Sequence, residues 1–154
     1  MTRAHLGRSV EVADLDDAVE VLRELGLRVS AARRLLLEAL FAAEGPLTAE
    51  QIAKGVVGRV PESDLTSVYR NLETLEELGV VRHMHLGHGP GLYELAGAGH
   101  EYLVCERCDA VRTVDSSEVE TARKAIKEAT GFAARFDHFP IFGLCPDCQR
   151  KVRS

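Results

Sequence analysis

The stretch DLTSVYRNLETLEELGVVRHMHLGHGPGLYELA, residues 64–96, changes its hydrophobic period halfway along. In its first half Leu65, Val68, Leu72, Leu75 and Leu78 recur three and four apart, which is one stripe on a helix. Ser63 or Asp64 supplies the N-cap and Gly79 the C-cap. From Val80 the alternation becomes two. Residues 80–86 (VVRHMHL) and 91–96 (GLYELA) read as short strands around the turn GHGPG, a hairpin.

Upstream, Thr48 and Gln51 form a capping box that opens a short helix, TAEQIAKGV, and Pro61 closes the loop after it. Ser30 caps another helix, whose apolar set Leu35, Leu36, Ala39 and Leu40 runs to about Ala43 before the break at Gly45-Pro46. A first helix over 14–25 places Leu15, Val19, Leu22 and Leu25 on one face, and residues 1–13 read as a flexible lead. The second, third and fourth helices followed by a hairpin spell a winged helix-turn-helix, with the hairpin as the wing. The alternative is any small helical domain with a β-extension. The short capped helix, tight loop, second capped helix and immediate hairpin favour the DNA-binding form.

Ala96-Gly-Ala-Gly99 is a hinge of small residues. It divides a winged-helix half, 1–96, from a second half, 97–154. After it come strands at 101–105 and 110–114, a helix capped by Asp115 or Ser116 and running to about Thr130, and a strand over 132–143. The fold class is therefore α+β, with a small α/β domain behind the winged helix. Three strands bury little, yet Leu103, Val104, Val111, Val114, Phe132, Phe136, Phe139, Ile141 and Phe142 form a large apolar set. A second copy of the chain would complete that core, so the second half reads as a dimerisation domain of a homodimer.

The only four cysteines fall in this half as two C-x-x-C pairs, Cys105/Cys108 and Cys145/Cys148, separated by residues 109–144. Two residues between cysteines let both sulfurs bend around one point, so the two pairs make a closed four-thiolate cage suited to structural Zn²⁺. Two disulfides or a redox dithiol are weaker readings: C-x-x-C is a poor structural disulfide, and a redox enzyme needs one pair.

Net charge is -5, carried wholly by residues 1–96, which hold ten Lys and Arg against fifteen Asp and Glu. That balance speaks against a nucleic-acid partner, for which a basic footprint is usual. No apolar run approaches the ~20 residues that span a bilayer, and the first residues lack a signal's apolar core. These features point to the cytoplasm and to no membrane partner. Opposite the leucine stripe of the fourth helix stand Ser67, Arg70, Asn71 and Thr74, with Tyr69 beside them. Arg and Asn pair with guanine and adenine edges, while Ser, Tyr and Arg hold phosphates. Arg28, Arg33 and Arg34 open the second helix in a stretch with no acid between 25 and 37, which suits DNA-backbone contacts. A plain solvated helix face is the alternative; position on the recognition helix carries the DNA reading.

His83 and His85 stand two apart on the first hairpin strand, on one face and about 7 Å apart at Cα. His138 lies in the last strand, and His100 follows the hinge. Imidazole suits Zn, Ni, Cu and Fe. An ion on His83, His85 and His138 would clamp the two halves at a fixed angle; two incidental histidines on a half-exposed strand is the other reading.

With these residues in hand, the chain resembles the ferric-uptake-regulator (Fur) family of metal-dependent transcription factors over about residues 22–149. The resemblance lies in RVSAAR (28–33), SVYRNL (67–72), ELGVV (77–81), LVCERC (103–108) and IFGLCPDC (141–148). Residues 82–89 (RHMHLGHG) and 137–143 (DHFPIFG) resemble its nickel-responsive branch, Nur. There a His-x-His in the hairpin and a histidine before the last cysteine pair hold nickel, which maps onto His83, His85 and His138. The resemblance implies a non-catalytic repressor of nickel-uptake and iron superoxide dismutase genes, acting on a palindromic double-stranded operator. Zn²⁺ or Fe²⁺ sensing, or peroxide sensing by iron-catalysed histidine oxidation, is the alternative on the same residues. The family's histidine-rich run before the first cysteine pair is reduced here to His100, with Tyr102 where its second histidine usually stands. A second regulatory site would retain His100. Asp109 replaces the usual glycine after the first pair.

Two readings come from other classes. A metallo-hydrolase needs an open metal position beside a carboxylate, for which Glu120 and Asp137 are available near His100 or His138. No hydrolase motif accompanies them. A winged helix that binds protein rather than DNA would suit the acidic charge.

Overall fold

The computed structural model describes residues 9–55, 61–87, 89–97, 99–136 and 140–153. Six helices and five strands occur among them. In chain order they are α1 (Leu15–Glu24), α2 (Ala31–Ala42), α3 (Ala49–Lys54), α4 (Leu65–Glu77), β1 (Val81–Met84), β2 (Leu92–Leu95), β3 (His100–Cys105), β4 (Val111–Asp115), α5 (Ser116–Thr130), β5 (Ile141–Gly143) and α6 (Pro146–Val152). Two compact units result: Met1–His83 with Gly91–Ala98, and Met84–Pro90 with Gly99–Ser154.

The first unit is the winged helix-turn-helix. Asp14, Ser30, Thr48 and Asp64 cap its four helices, each side chain accepting from a backbone N–H three residues on. At α3 the capping box is complete, because the Gln51 side chain returns to the Thr48 N–H. The core is one cluster drawn from every helix: Leu22, Leu36, Leu37, Ile52, Leu72 and Leu75 are essentially out of water. Each such side chain contributes about 1.5–3 kcal/mol on burial. β1 and β2 pair as a two-stranded sheet. A separate antiparallel bridge joins Leu47 to Tyr93, tying the wing to the turn before α3. Inside the wing, Arg82 and Glu94 face each other across the strands as a buried ion pair, each charge answering the other.

The second unit holds a three-stranded sheet in the order β4-β3-β5. β3 and β4 are antiparallel, with His100 opposite Asp115, and β3 and β5 are parallel, with Cys105 opposite Gly143. The α5 N-cap is Asp115, with Glu118 completing a capping box, and Gly131 closes the helix in the left-handed conformation.

Several expectations change. The first wing strand stops at Met84, so His85 lies beyond it. Its partner β2 begins only at Leu92, after Pro90, which has no N–H to donate to the ladder. The strand expected over 132–143 exists only at Ile141–Gly143: residues 132–136 are irregular, and 137–139 lie outside the described residues. β5 can pair only with the Leu103–Cys105 end of β3. The inward face of α2 adds Leu37 to the buried Leu36, Ala39 and Leu40, with Leu35 only partly buried against the core, and Leu25 is exposed beyond the end of α1. Of the lead, residues 1–8 lie outside the described residues, but Val10 and Val12 pack on the core and the Val10 N–H donates to the Gly79 carbonyl. α6 was not anticipated. Its signals are Pro146 at the first helical position, Asp147 in the first turn, and Arg150 and Lys151 in the last.

Candidate functional site

The four cysteines come from three adjoining pieces of backbone. Cys105 ends β3, Cys108 follows in the turn, Cys145 is the residue before α6, and Cys148 lies in the first turn of that helix. The turn is closed by Asp109 N–H to Cys105 O and by Cys105 N–H to Ala110 O, each 2.9 Å. The Glu106 N–H reaches Gly143 O at 2.9 Å, which lashes this turn to the strand leading into the second pair. No cysteine is in a disulfide, and all four Sγ atoms lie within 4.8 Å of one another. Cys108 and Cys145 Sγ are 3.8 Å apart. Four sulfurs about 2.3 Å from one ion at tetrahedral angles stand about 3.8 Å from each other, so the spacing suits Zn²⁺.

The protons are unequally held. The Cys105 thiol is lowered to about 6 by backbone N–H donors of Cys145, Cys108 and Arg107, the first reaching its sulfur at 3.4 Å. Cys148 is pushed up to about 12, first by its hydrogen bond to the Cys145 sulfur and then by burial. The backbone donors thus favour the thiolate at Cys105 and the neighbouring sulfurs disfavour it at Cys148, so filling the cage with a cation releases protons. With four thiolates there is no open position for a substrate.

The histidines are differently placed. His83, on β1, lies flat on the Tyr93 ring, with centroids 4.5 Å apart and planes 8° from parallel. His85 is in the irregular segment after β1, so the two no longer share a strand face. His138 lies outside the described residues, as does Asp137. His100, the candidate for a second regulatory site, has its Nε2 2.7 Å from the Tyr102 hydroxyl, with the rings edge to face. Among the described residues the group of metal-ligating side chains gathered in one place is the four cysteines. Glu120, the other carboxylate considered for a hydrolase, is exposed on α5 and pairs with Arg123 at 3.5 Å.

α4 shows an open face. Arg70 is exposed and Tyr69 is 45% exposed, its hydroxyl donating to Glu50 on α3 at 3.3 Å. The Asn71 amide and the Thr74 hydroxyl donate to the carbonyls of Ser67 and Arg70 on their own helix, at 2.9 and 3.1 Å. The three arginines before and within α2 divide. Arg28 is exposed, and Arg34 pairs with Glu38 at 3.2 Å. Arg33 turns inward: its Nη1 donates to Arg28 O at 2.5 Å, and its Nε is buried without a partner. Arg33 therefore braces the turn into α2, a role its charge alone did not suggest. Sequence reasoning also missed Tyr93 and Glu50. Tyr93 had a signal, an aromatic residue on the hairpin strand facing His83.

A sequence model described as the ferric uptake regulator family matches residues 24–138. The peroxide operon regulator of Bacillus subtilis is 27% identical over 138 residues, covering 90% of this chain and 95% of that protein. Among solved structures, the ferric uptake regulator of Pseudomonas aeruginosa with manganese is similar with a TM-score of 0.66 at 28% identity, over 82% of this chain and 96% of the other. The ferric uptake regulator of Vibrio cholerae gives 0.63 at 27%, over 83% and 99%.

Proposed function

We propose a function from one premise: this chain belongs to the ferric uptake regulator family. It is a metal-responsive transcriptional regulator rather than an enzyme. On our reading it is a repressor that binds double-stranded DNA as a homodimer, at a palindromic operator, through α4. The observation that carries the DNA reading is the exposed α4 face with Arg70 and Tyr69 outward, set behind the doubly capped α3. Arg70 is assigned to a guanine edge, Tyr69 and Ser67 to the DNA backbone, and Asn71 to an adenine edge. Arg28 and Arg34 complete the phosphate contacts, with Arg33 supporting Arg28 from behind.

Cys105, Cys108, Cys145 and Cys148 are assigned to a structural Zn²⁺, supported by their spacing and closed donor set. The regulatory ion is assigned to His83, His85 and His138, and the segment RHMHLGHG favours Ni²⁺. Bound there, the ion would supply a fixed positive centre for three imidazoles. A homodimer is supported by apolar surface on the second unit: Val111, Phe142 and Leu144 are 49%, 48% and 38% exposed along a groove also lined by Leu103 and Ile141. The second reading is an iron-dependent peroxide sensor using the same histidines, favoured by the similarity to the B. subtilis peroxide regulator.

Two variants test these assignments. His83→Ala should abolish metal-stimulated DNA binding while the fold and zinc content stay; loss of zinc or of folding instead contradicts the assignment. Arg70→Ala should weaken DNA binding by about 1–3 kcal/mol with metal uptake unchanged. Equal affinity would remove Arg70 from the interface.

A further inference from the structure

We propose that Tyr93 and Gly91 are positioning residues that preset the His83 imidazole for its metal ion. This rests on reading His83 as a regulatory ligand. The ring is held on two sides. Its face lies on Tyr93, 4.5 Å between centroids and 8° from parallel. Its edge lies on Gly91, where an added Cβ would fall 2.3 Å from His83 Nε2 and 3.1 Å from Cδ2. A Cβ there would push the His83 ring out of this pose, because the contact is with the free end of that side chain and not with backbone.

The platform under the ring is itself fixed. Tyr93 is 9% exposed. Its backbone N–H donates to Leu47 O at 2.7 Å, and the Leu47 N–H donates to Tyr93 O at 2.9 Å. Burial, with Glu76, Tyr69 and Glu50 nearby, pushes the Tyr93 phenol up to about 12, so it stays a neutral aromatic surface. A ligand locked before the ion arrives loses little rotamer freedom on binding. Contacts that orient a ligating histidine change metal affinity about 10–100-fold when removed.

The experiment uses the full zinc-loaded chain. Without added metal, histidine-labelled NMR should find the His83 ring protons displaced upfield by the Tyr93 ring current. The displacement should persist in Tyr93→Phe and vanish in Tyr93→Leu. Titration with Ni²⁺ against a competing chelator should then give wild-type affinity for Tyr93→Phe. Tyr93→Leu and Gly91→Ala should bind about 10–100-fold more weakly, with zinc content unchanged. Undisplaced His83 protons in the wild type, or wild-type Ni²⁺ affinity in Tyr93→Leu, would overturn the proposal. If His83→Ala also leaves Ni²⁺ affinity unchanged, the ligand assignment falls with it. If His83→Ala abolishes binding and Tyr93→Leu does not, the positioning role alone falls.

Discussion

Asp109 is the one described non-glycine residue in the left-handed region, at φ 58. It sits directly after Cys108, and its N–H closes the turn onto Cys105 O. Aspartate tolerates this conformation, whereas a β-branched side chain does not. Asp109→Val should therefore destabilise the zinc-free protein by about 1–2 kcal/mol in denaturant titrations, and Asp109→Gly should be tolerated. Equal stability for the two variants would deny that the turn needs this backbone. Asp115, the α5 N-cap, adds a pH dependence. The Ser117 backbone N–H, 2.9 Å from its carboxylate, and then the Ser117 side chain hold its pKa below the ordinary carboxylate value. A depressed folded pKa means the cap stabilises above the unfolded value and is lost as pH falls through the folded one. Asp115→Asn should flatten stability against pH in that acidic window, and an unchanged acid limb would contradict the capping role.

At the scale of elements, caps and punctuation were more legible than faces. Thr48-Ala-Glu-Gln51 announced α3 outright, and the structure holds both halves of its box. Thr48→Ala should cost about 1 kcal/mol, read as a lower midpoint of thermal unfolding. α2 shows where pattern reading fails. Leu35, Leu36 and Leu37 are consecutive, so periodicity cannot choose among them; α2 packs against α1, α3 and α4, and Leu36 and Leu37 are the two buried. Leu37→Ala should cost about 2–5 kcal/mol and Leu35→Ala clearly less; the reverse order would mean the helix is rotated. The cysteine cage was legible because its spacing is the geometry. The His83 environment was not, since stacking on Tyr93 and contact with Gly91 depend on how seven residues of loop, 85–91, return the chain. The end of β1 before His85 depends on the same loop. The inward hydrogen bond of Arg33 to Arg28 O was not legible either, since a charge in a basic stretch shows no partner until the turn before α2 is built.

For the whole molecule, an acidic chain assigned to DNA needs its cations gathered. Against the net charge of -5, Arg28, Arg34 and Arg70 are exposed on the helix-turn-helix unit, Arg34 in a pair with Glu38. None of the described helices is long and apolar enough to cross a membrane. The second unit leaves Phe142 and Val111 about half exposed. On the dimer reading, Phe142→Asp should shift sedimentation from dimer towards monomer with the zinc retained, and an unchanged dimer would place the interface elsewhere. The central claim, metal-dependent DNA binding, is tested most directly by fluorescence anisotropy. The zinc-loaded protein would be titrated against operator fragments without added metal, and then with buffered Ni²⁺, Zn²⁺, Fe²⁺ or Mn²⁺. Tight, salt-sensitive binding that appears with Ni²⁺ and is lost in His83→Ala is the predicted result. Binding driven by Fe²⁺ or Zn²⁺ alone would contradict the nickel assignment, and no DNA binding with any metal would contradict the account as a whole.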